Sequence, residues 1–296
     1  MANTLGGINL AQIAQDSLDY LTTEFHIVRA FARDFSSDIE QEGESVTTRV
    51  PSAITVQDLS SGYTPTDVTT TAKTITLNKF KGHVRAFTDL EVSKAGDAEW
   101  LANQFIEPAL EAVRDAFMDD LLALVLNAAF SNNVVITAAN FDADDVADLA
   151  GDLTTLKCPK RERALLLPPT YYASIQKDAV VQDTSSYGGS DAIKEHGAKR
   201  IHGFNVYEYT GIPANGENLA AIAMHPSAMI MAARQVAVPQ NAPHVAVENV
   251  EDPATGLPLQ FRAWYDANAG KHIVSVGVLY GVAVGNGAAL KRIKSA

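Results

Sequence analysis

"KRIHGFNVYEYTGIP" at 199–213 and "LAAIAMHPSAMIMAA" at 219–233 stand six residues apart, and their reading decides the fold. The first is rich in aromatic and β-branched residues and stops at Gly211–Pro213, which predicts a strand and a turn. "LAAIAM" predicts a short buried strand, and "HPSAMIMAAR", with Pro226 at a first helical position, predicts a helix. Thioether beside imidazole suits copper, and a lone histidine after a strand could serve as a base. The bland reading is better: Met224, Met229 and Met231 are adaptable core filler, and His225 is a turn residue bonded to nearby backbone.

Outward from this stretch, "ERALLLPPTYYASIQKD" at 162–178 predicts a buried strand, a double-proline turn and a helix. "PLQFRAWYD" and "KHIVSVGVLYGVAV" predict two strands joined by the turn "ANAG". Asp142, Asp144, Asp145 and Asp148 suggest calcium, but Ala147 stands where the loop needs glycine and Leu153 where it needs the closing glutamate. They read instead as the acidic start of a capped helix with Val146, Leu149 and Leu153 inward.

Residues 98–130 place Leu110, Val113, Phe117 and Leu121 at helical spacing around Pro108, which predicts one long helix. Glu107, Glu111, Asp115 and Asp119 recur every fourth residue and form a carboxylate stripe that is either solvated or answered by basic groups. From Leu10 to about Phe35 the pattern is that of an amphipathic, acidic helix. Residues 46–87 read as a long hairpin, with a bulge or bend near Asn78 and Lys79, because Ile75 and Leu77 differ in parity from Phe80 and Val84. Such a ribbon is marginal alone and must lean on something, for which another subunit would serve.

With 35 acidic against 23 basic residues the net charge is −12, which opposes direct binding of phosphate backbones. Cys158 is the only cysteine, so neither a disulfide framework nor a thiolate metal cage within one chain is expected. The longest strongly apolar run, "LLALVL", is too short to span a bilayer, and the chain is expected to be soluble and made in the cytoplasm. The seven histidines show no zinc spacing, and neither a phosphate-binding loop nor a nucleophile elbow occurs. Gly281, Gly285 and Gly287 lack a βαβ unit and read as strand and turn glycines. No catalytic residue, metal or cofactor is expected.

Taken together, Gly203, Phe204, Val206, Tyr207, Glu208, Ile212, Pro213, Met224, His225 and Ala228 resemble a signature of the major capsid proteins of tailed double-stranded-DNA bacteriophages. "ALLLPPTYYASI" resembles the same family's strand, proline turn and tyrosine-bearing helix, and the "LYGV" that includes Tyr280 and Gly281 resembles its closing strand.

The resemblance implies an α+β fold of the Hong Kong 97 type: an N-terminal arm (1–45), an extended β-hairpin loop (46–87), a peripheral domain (88–131 and 259–296) with a spine helix at about 98–130, and an axial domain (132–258). It also implies a shell of hexamers and pentamers around double-stranded DNA that is not bound by sequence. Assembly would be directed by a separate scaffolding protein, with a portal protein and a decoration or cement protein as further partners. The location would be the virion, assembled in the host bacterial cytoplasm. In that family the extended loop lies on a neighbouring subunit, so Lys73, Lys79, Lys81 and Arg85 are expected to meet Glu107, Glu111, Asp115 and Asp119 across subunits. Asp16, Asp19 and Glu24 on the arm are expected to receive a basic scaffold helix. An encapsulin-type shell around protein cargo, and a soluble enzyme or binding protein, are the alternatives.

Overall fold

The computed structural model describes residues 25–40, 45–51, 60, 62–63, 70–95, 98–182, 200–237, 245–252 and 255–295. Two six-stranded sheets, a separate two-stranded ribbon and one long helix make up the frame. The first sheet contains β1 (Ala32–Glu40), β4 (Lys79–Thr88), β10 (Met229–Val236), β11 (Val245–Glu251), β12 (Pro258–Asp266) and β13 (Lys271–Val284). Its organising strand is β13, which pairs antiparallel with β4 through 271–280, with β12 through 271–277 and with β10 through 279–284. The second sheet runs in the order β5 (Asn133–Val135), β14 (Leu290–Lys294), β9 (Leu219–Met224), β6 (Arg163–Leu167), β8 (Phe204–Glu208), β7 (Arg200–Ile201). The ribbon pairs β2 (Ser45–Pro51) with β3 (Thr70–Thr76).

Helix α1 (Asp89–Ala95) follows β4 and leads to α2 (Ala98–Leu122), which buries Leu110, Val113, Phe117 and Leu121 against the first sheet. The apolar stripe at i, i+3, i+7 and i+11 is what turns that face inward. Helix α2 ends eight residues before the expected Phe130. There Asn215 donates from Nδ2 to the carbonyls of Leu122 at 3.1 Å and Val125 at 2.7 Å, satisfying acceptors that a helix end leaves open. Helices α3 (Ala143–Thr155), α4 (Pro169–Lys177) and α5 (Ala179–Gln182) accompany the second sheet. The expected cap of α3 is present, with the Asp142 side chain accepting from Asp145 N while the Asp145 side chain accepts from Asp142 N.

Two expectations are corrected. The predicted helix at 225–234 is a single 3-10 turn, Pro226–Ala228, followed by strand β10. Met229 to Gln235 is buried throughout, between β1 and β13, and a run apolar on both faces carries no period that separates helix from strand. The predicted helix from Leu10 to Phe35 is described only from Phe25, where a 3-10 helix to Ala30 gives way to β1, parallel to β10. β10 and β11 pair into the first sheet with β12 and β13, whereas β14 joins β9 and β5 in the second sheet. The bend expected near Asn78 and Lys79 is the break between β3 and β4 at Leu77–Asn78. Ile75 and Leu77 are buried beside Ile230, Ala232 and Leu279, so the base of the ribbon leans on its own chain.

The chain passes between the sheets three times, once through α2, and the other two passages, β9 to β10 and β13 to β14, run side by side. His225 N donates to Ala289 O, Gly285 N to Ala228 O and Asn286 N to Ser227 O, at 2.8–2.9 Å. Each of these two crossings is a short 3-10 turn capped by its leading residue: His225 accepts from Ser227 N and Asn286 from Ala288 N. Gly285 is required by this contact, since a Cβ there would stand 2.3 Å from Ser227 O. Gly281 meets the same limit, 2.2 Å from Thr76 O, where the ribbon base crosses β13.

These contacts predict that Gly285→Ala lowers stability by about 1–3 kcal/mol, because the obstruction is backbone and cannot rotate away. Gly151→Ala, in α3 with nothing within 4 Å of the added carbon, should raise stability by about 0.5–1 kcal/mol. Urea denaturation of the two variants beside wild type checks both signs.

Candidate assembly surfaces

Alternation along β4 sends Lys79 and Lys81 to the side of the first sheet covered by α2, and both reach Asp120. Lys79 Nζ lies 2.6 Å from Oδ1 and Lys81 Nζ 2.6 Å from Oδ2 of that carboxylate. Tyr280, fully buried on β13, donates its hydroxyl to Asp120 Oδ2 at 2.5 Å and packs its ring 4.6 Å from that of Phe117. Burial alone would raise the Asp120 carboxyl, but the hydrogen bonds from Lys79, Lys81 and Tyr280 outweigh it and bring it down to about 2. Burial, followed by the bond to Asp120, pushes the Tyr280 phenol far up. Helix, loop strand and central strand are thus tied at one charged point.

This arrangement gives two of the loop cations a partner inside the chain. Lys79 and Lys81 are answered within their own chain, by a carboxylate one residue beyond the stripe and therefore about 100° around the helix from it. A search at four-residue spacing passes over Asp120 for that reason. Glu111, Asp115 and Asp119 are exposed, with Asp115 paired to Arg114 at 2.9 Å, while Glu107 is placed by its backbone on the same helix. Lys73 lies half-buried on β3 opposite Thr48, and Arg85 is exposed on β4 opposite Val274. Asp16, Asp19 and Glu24 lie outside the described residues.

The other side of the first sheet is covered by the ribbon base at Ile230, Ala232 and Leu279 and is open farther along β4, where Gln260 and Arg262 also border the opening. Phe80 and Val84 are 50% and 58% exposed on β4, and with Val245, Trp264 and Gly277 they line a cleft of about 410 Å³. The parity change at the ribbon base hinted at this face, but its closure by Val245 and Trp264 depends on the β11–β12 pairing, which spacing within one segment does not reveal.

The signature residues of the second sheet are structural. His202 and Gly203, both with positive φ, form the two-residue turn between β7 and β8, and Phe204 is fully buried. Val206 and Tyr207 are half-buried on β8, and Pro213 is half-buried in the following turn. Burial raises the phenol of Tyr207, and burial followed by the charges of Asp115 and Asp119 pushes that of Tyr209 up to about 12. His225 Nδ1 lies 2.8 Å from Ser227 Oγ and 3.2 Å from Ser227 N, and burial lowers its pKa. Among the described residues no group of three or more histidine, cysteine or acidic side chains is placed to hold a metal ion.

No protein-family model and no curated protein matches this sequence. Solved structures do match in fold. The capsid structure of cyanophage P-SCSP1u is 12% identical with a TM-score of 0.62, covering 90% of this chain and 86% of that one. A structure of Mycobacterium phage Che8 is 15% identical with a TM-score of 0.56, over 93% and 90% of the two chains. The crystal structure of a virus-like particle from Pyrococcus furiosus is 12% identical with a TM-score of 0.56, over 97% and 100%. The fold is therefore the Hong Kong 97-type capsid fold, as the resemblance in the sequence implied.

Asp120→Asn is expected to cost about 1–3 kcal/mol by leaving two lysines without their counter-charge. The ordinary aspartate value is 3.8 and the folded one about 2, so the stabilisation, about 2 kcal/mol, is in place above pH 4 and is lost as the pH falls through 2. Denaturation curves of wild type and variant should converge over that window. His225→Ala should cost about 1 kcal/mol through the lost cap, with unchanged metal content by elemental analysis.

Proposed function

We propose that this chain is a major capsid protein that assembles into hexamers and pentamers of an icosahedral shell enclosing double-stranded phage DNA. The observation that carries this reading is the agreement of fold over nine-tenths of the chain with phage capsid structures, in a molecule that leaves part of an apolar sheet face uncovered. In this reading residues 46–87, which include the ribbon and its connecting residues 52–69, are the extended loop, α2 is the spine helix, and residues 132–258 are the axial domain. The extended loop of one subunit covers the open face of the next around Phe80, Val84 and Trp264.

Interfaces of this kind bury on the order of 2,000–5,000 Å² and hold a shell through many modest contacts. The acidic stripe Glu111–Asp119 then faces neighbours or solvent, with Lys73 and Arg85 as basic groups available to it. Separate scaffolding, portal and decoration proteins complete the assembly, and Asp16, Asp19 and Glu24 of the arm receive the scaffold. With a net charge of −12 the shell confines DNA through counterions rather than by binding it. The reading makes the protein structural and not an enzyme, a component of the virion.

A shell around protein cargo, as in encapsulins, is the second reading, since the fold match includes a virus-like particle as well as phage capsids. Replacing residues 52–69 by Asn-Gly tests the assembly reading by light scattering. Wild type should elute as megadalton particles and the shortened chain as free subunits that unfold at the same urea concentration. Equal particle formation by both would contradict the loop's role, and nucleic acid or protein recovered from native particles separates the two readings.

A further inference from the structure

Helix α3 is bounded by opposite charges. Its first two turns carry Asp144, Asp145 and Asp148, and the turn after its carboxyl end carries Lys157, Lys160 and Arg161; all are exposed except the half-buried Asp145. Among the described residues none of the six forms an ion pair. The helix dipole accounts for the sign at each end. It does not account for a cleft along residues 145–152 and a clamp beyond the carboxyl end.

The cleft, about 370 Å³, lies between α3 and β5, the outermost strand of the second sheet. Val134, Ile136 and Leu149 form its floor, and Asp145, Asp148 and Asp152 stand at its rim. An apolar floor under an acidic rim suits a lysine or arginine, whose methylenes lie on the floor while the cation meets the carboxylates. Asp152 is already bonded to Lys291, whereas Asp145 and Asp148 await a cation. Burial, and after it the charges of Asp142, Asp148 and Asp144, keeps the Asp145 carboxyl above its ordinary value.

The clamp is Arg163, 2% exposed. It donates from Nε to Pro159 O at 2.8 Å, from Nη2 to Cys158 O at 2.8 Å and Thr154 Oγ1 at 3.1 Å, and from Nη1 to Ala150 O at 2.8 Å. A buried guanidinium committed to one surface turn holds that turn in a single conformation. Lys160 and Arg161 are therefore presented with little backbone entropy left to lose on binding.

We infer that the turn clamped by Arg163 docks Lys160 and Arg161 into the acidic cleft beside β5 of a second copy of this chain. The contact rests on the proposed self-assembly and deepens it. The cleft lies along residues 145–152 of α3 and the basic turn follows its carboxyl end at Thr155, so the two copies use different surfaces. Such a heterologous contact propagates from copy to copy and closes into a ring when the rotation allows.

Lys160→Glu, Asp148→Arg and the double variant test this by sedimentation velocity at low salt. Each single variant should raise the concentration needed for half-assembly at least tenfold. The double variant should return to within threefold of wild type, because the reversed charges meet again on neighbouring copies. Both positions are exposed, and Arg161→Glu replaces Lys160→Glu should the latter fail to fold. Single variants within twofold of an assembling wild type, or a double variant worse than either single, overturn the contact alone. A wild type that never associates overturns the shell reading as well.

Discussion

The two sheets of this protein are one body because two of the chain's three passages between them are bonded to each other. The hydrogen bonds that His225, Gly285 and Asn286 form across the crossings leave no room for a side chain at Gly285, where a Cβ would stand 2.3 Å from Ser227 O. Everything on either side inherits its position from this junction. Upstream of it β9 feeds the second sheet and downstream β10 feeds the first, while β13 and β14 run the opposite way. A covalent crossing in one place would be a hinge; two crossings bonded to each other resist rotation.

The junction also explains why β13 can serve as an organiser. Its far end is fixed at Gly285, its middle carries Tyr280 against Phe117 and Asp120, and its other edge receives β4. Asp120 then draws Lys79 and Lys81 inward, leaving Phe80 and Val84 on the outer face. The same alternation that closes the core against α2 therefore generates the open apolar face. Function on this account follows from how one charged point orients one strand.

Much of this was legible in the sequence where a segment's own pattern decides its neighbours. The β12–β13 hairpin, the capped α3 and the break at Leu77–Asn78 follow from local spacing and turn chemistry, whereas 199–213 reads as one strand that His202 and Gly203 in fact turn back on itself. What escaped depends on distant partners. Met229–Gln235 reads as helix until β1 and β13 bury both its faces, and α2 reads eight residues too long until Asn215 takes its last carbonyls. Asp120 was overlooked because its importance comes from β4 and Tyr280, not from its spacing to other acids. His225, by contrast, reads from its own neighbours as a turn residue, and its ring accepts from Ser227 N two residues on.

The central claim is that this fold exists to be covered by copies of itself. Electron cryomicroscopy of the purified protein at high concentration tests it most directly. The account predicts closed shells in which density from a neighbouring subunit lies over Phe80, Val84 and Trp264. A field of monomers, or shells in which that face is bare to solvent, would contradict it.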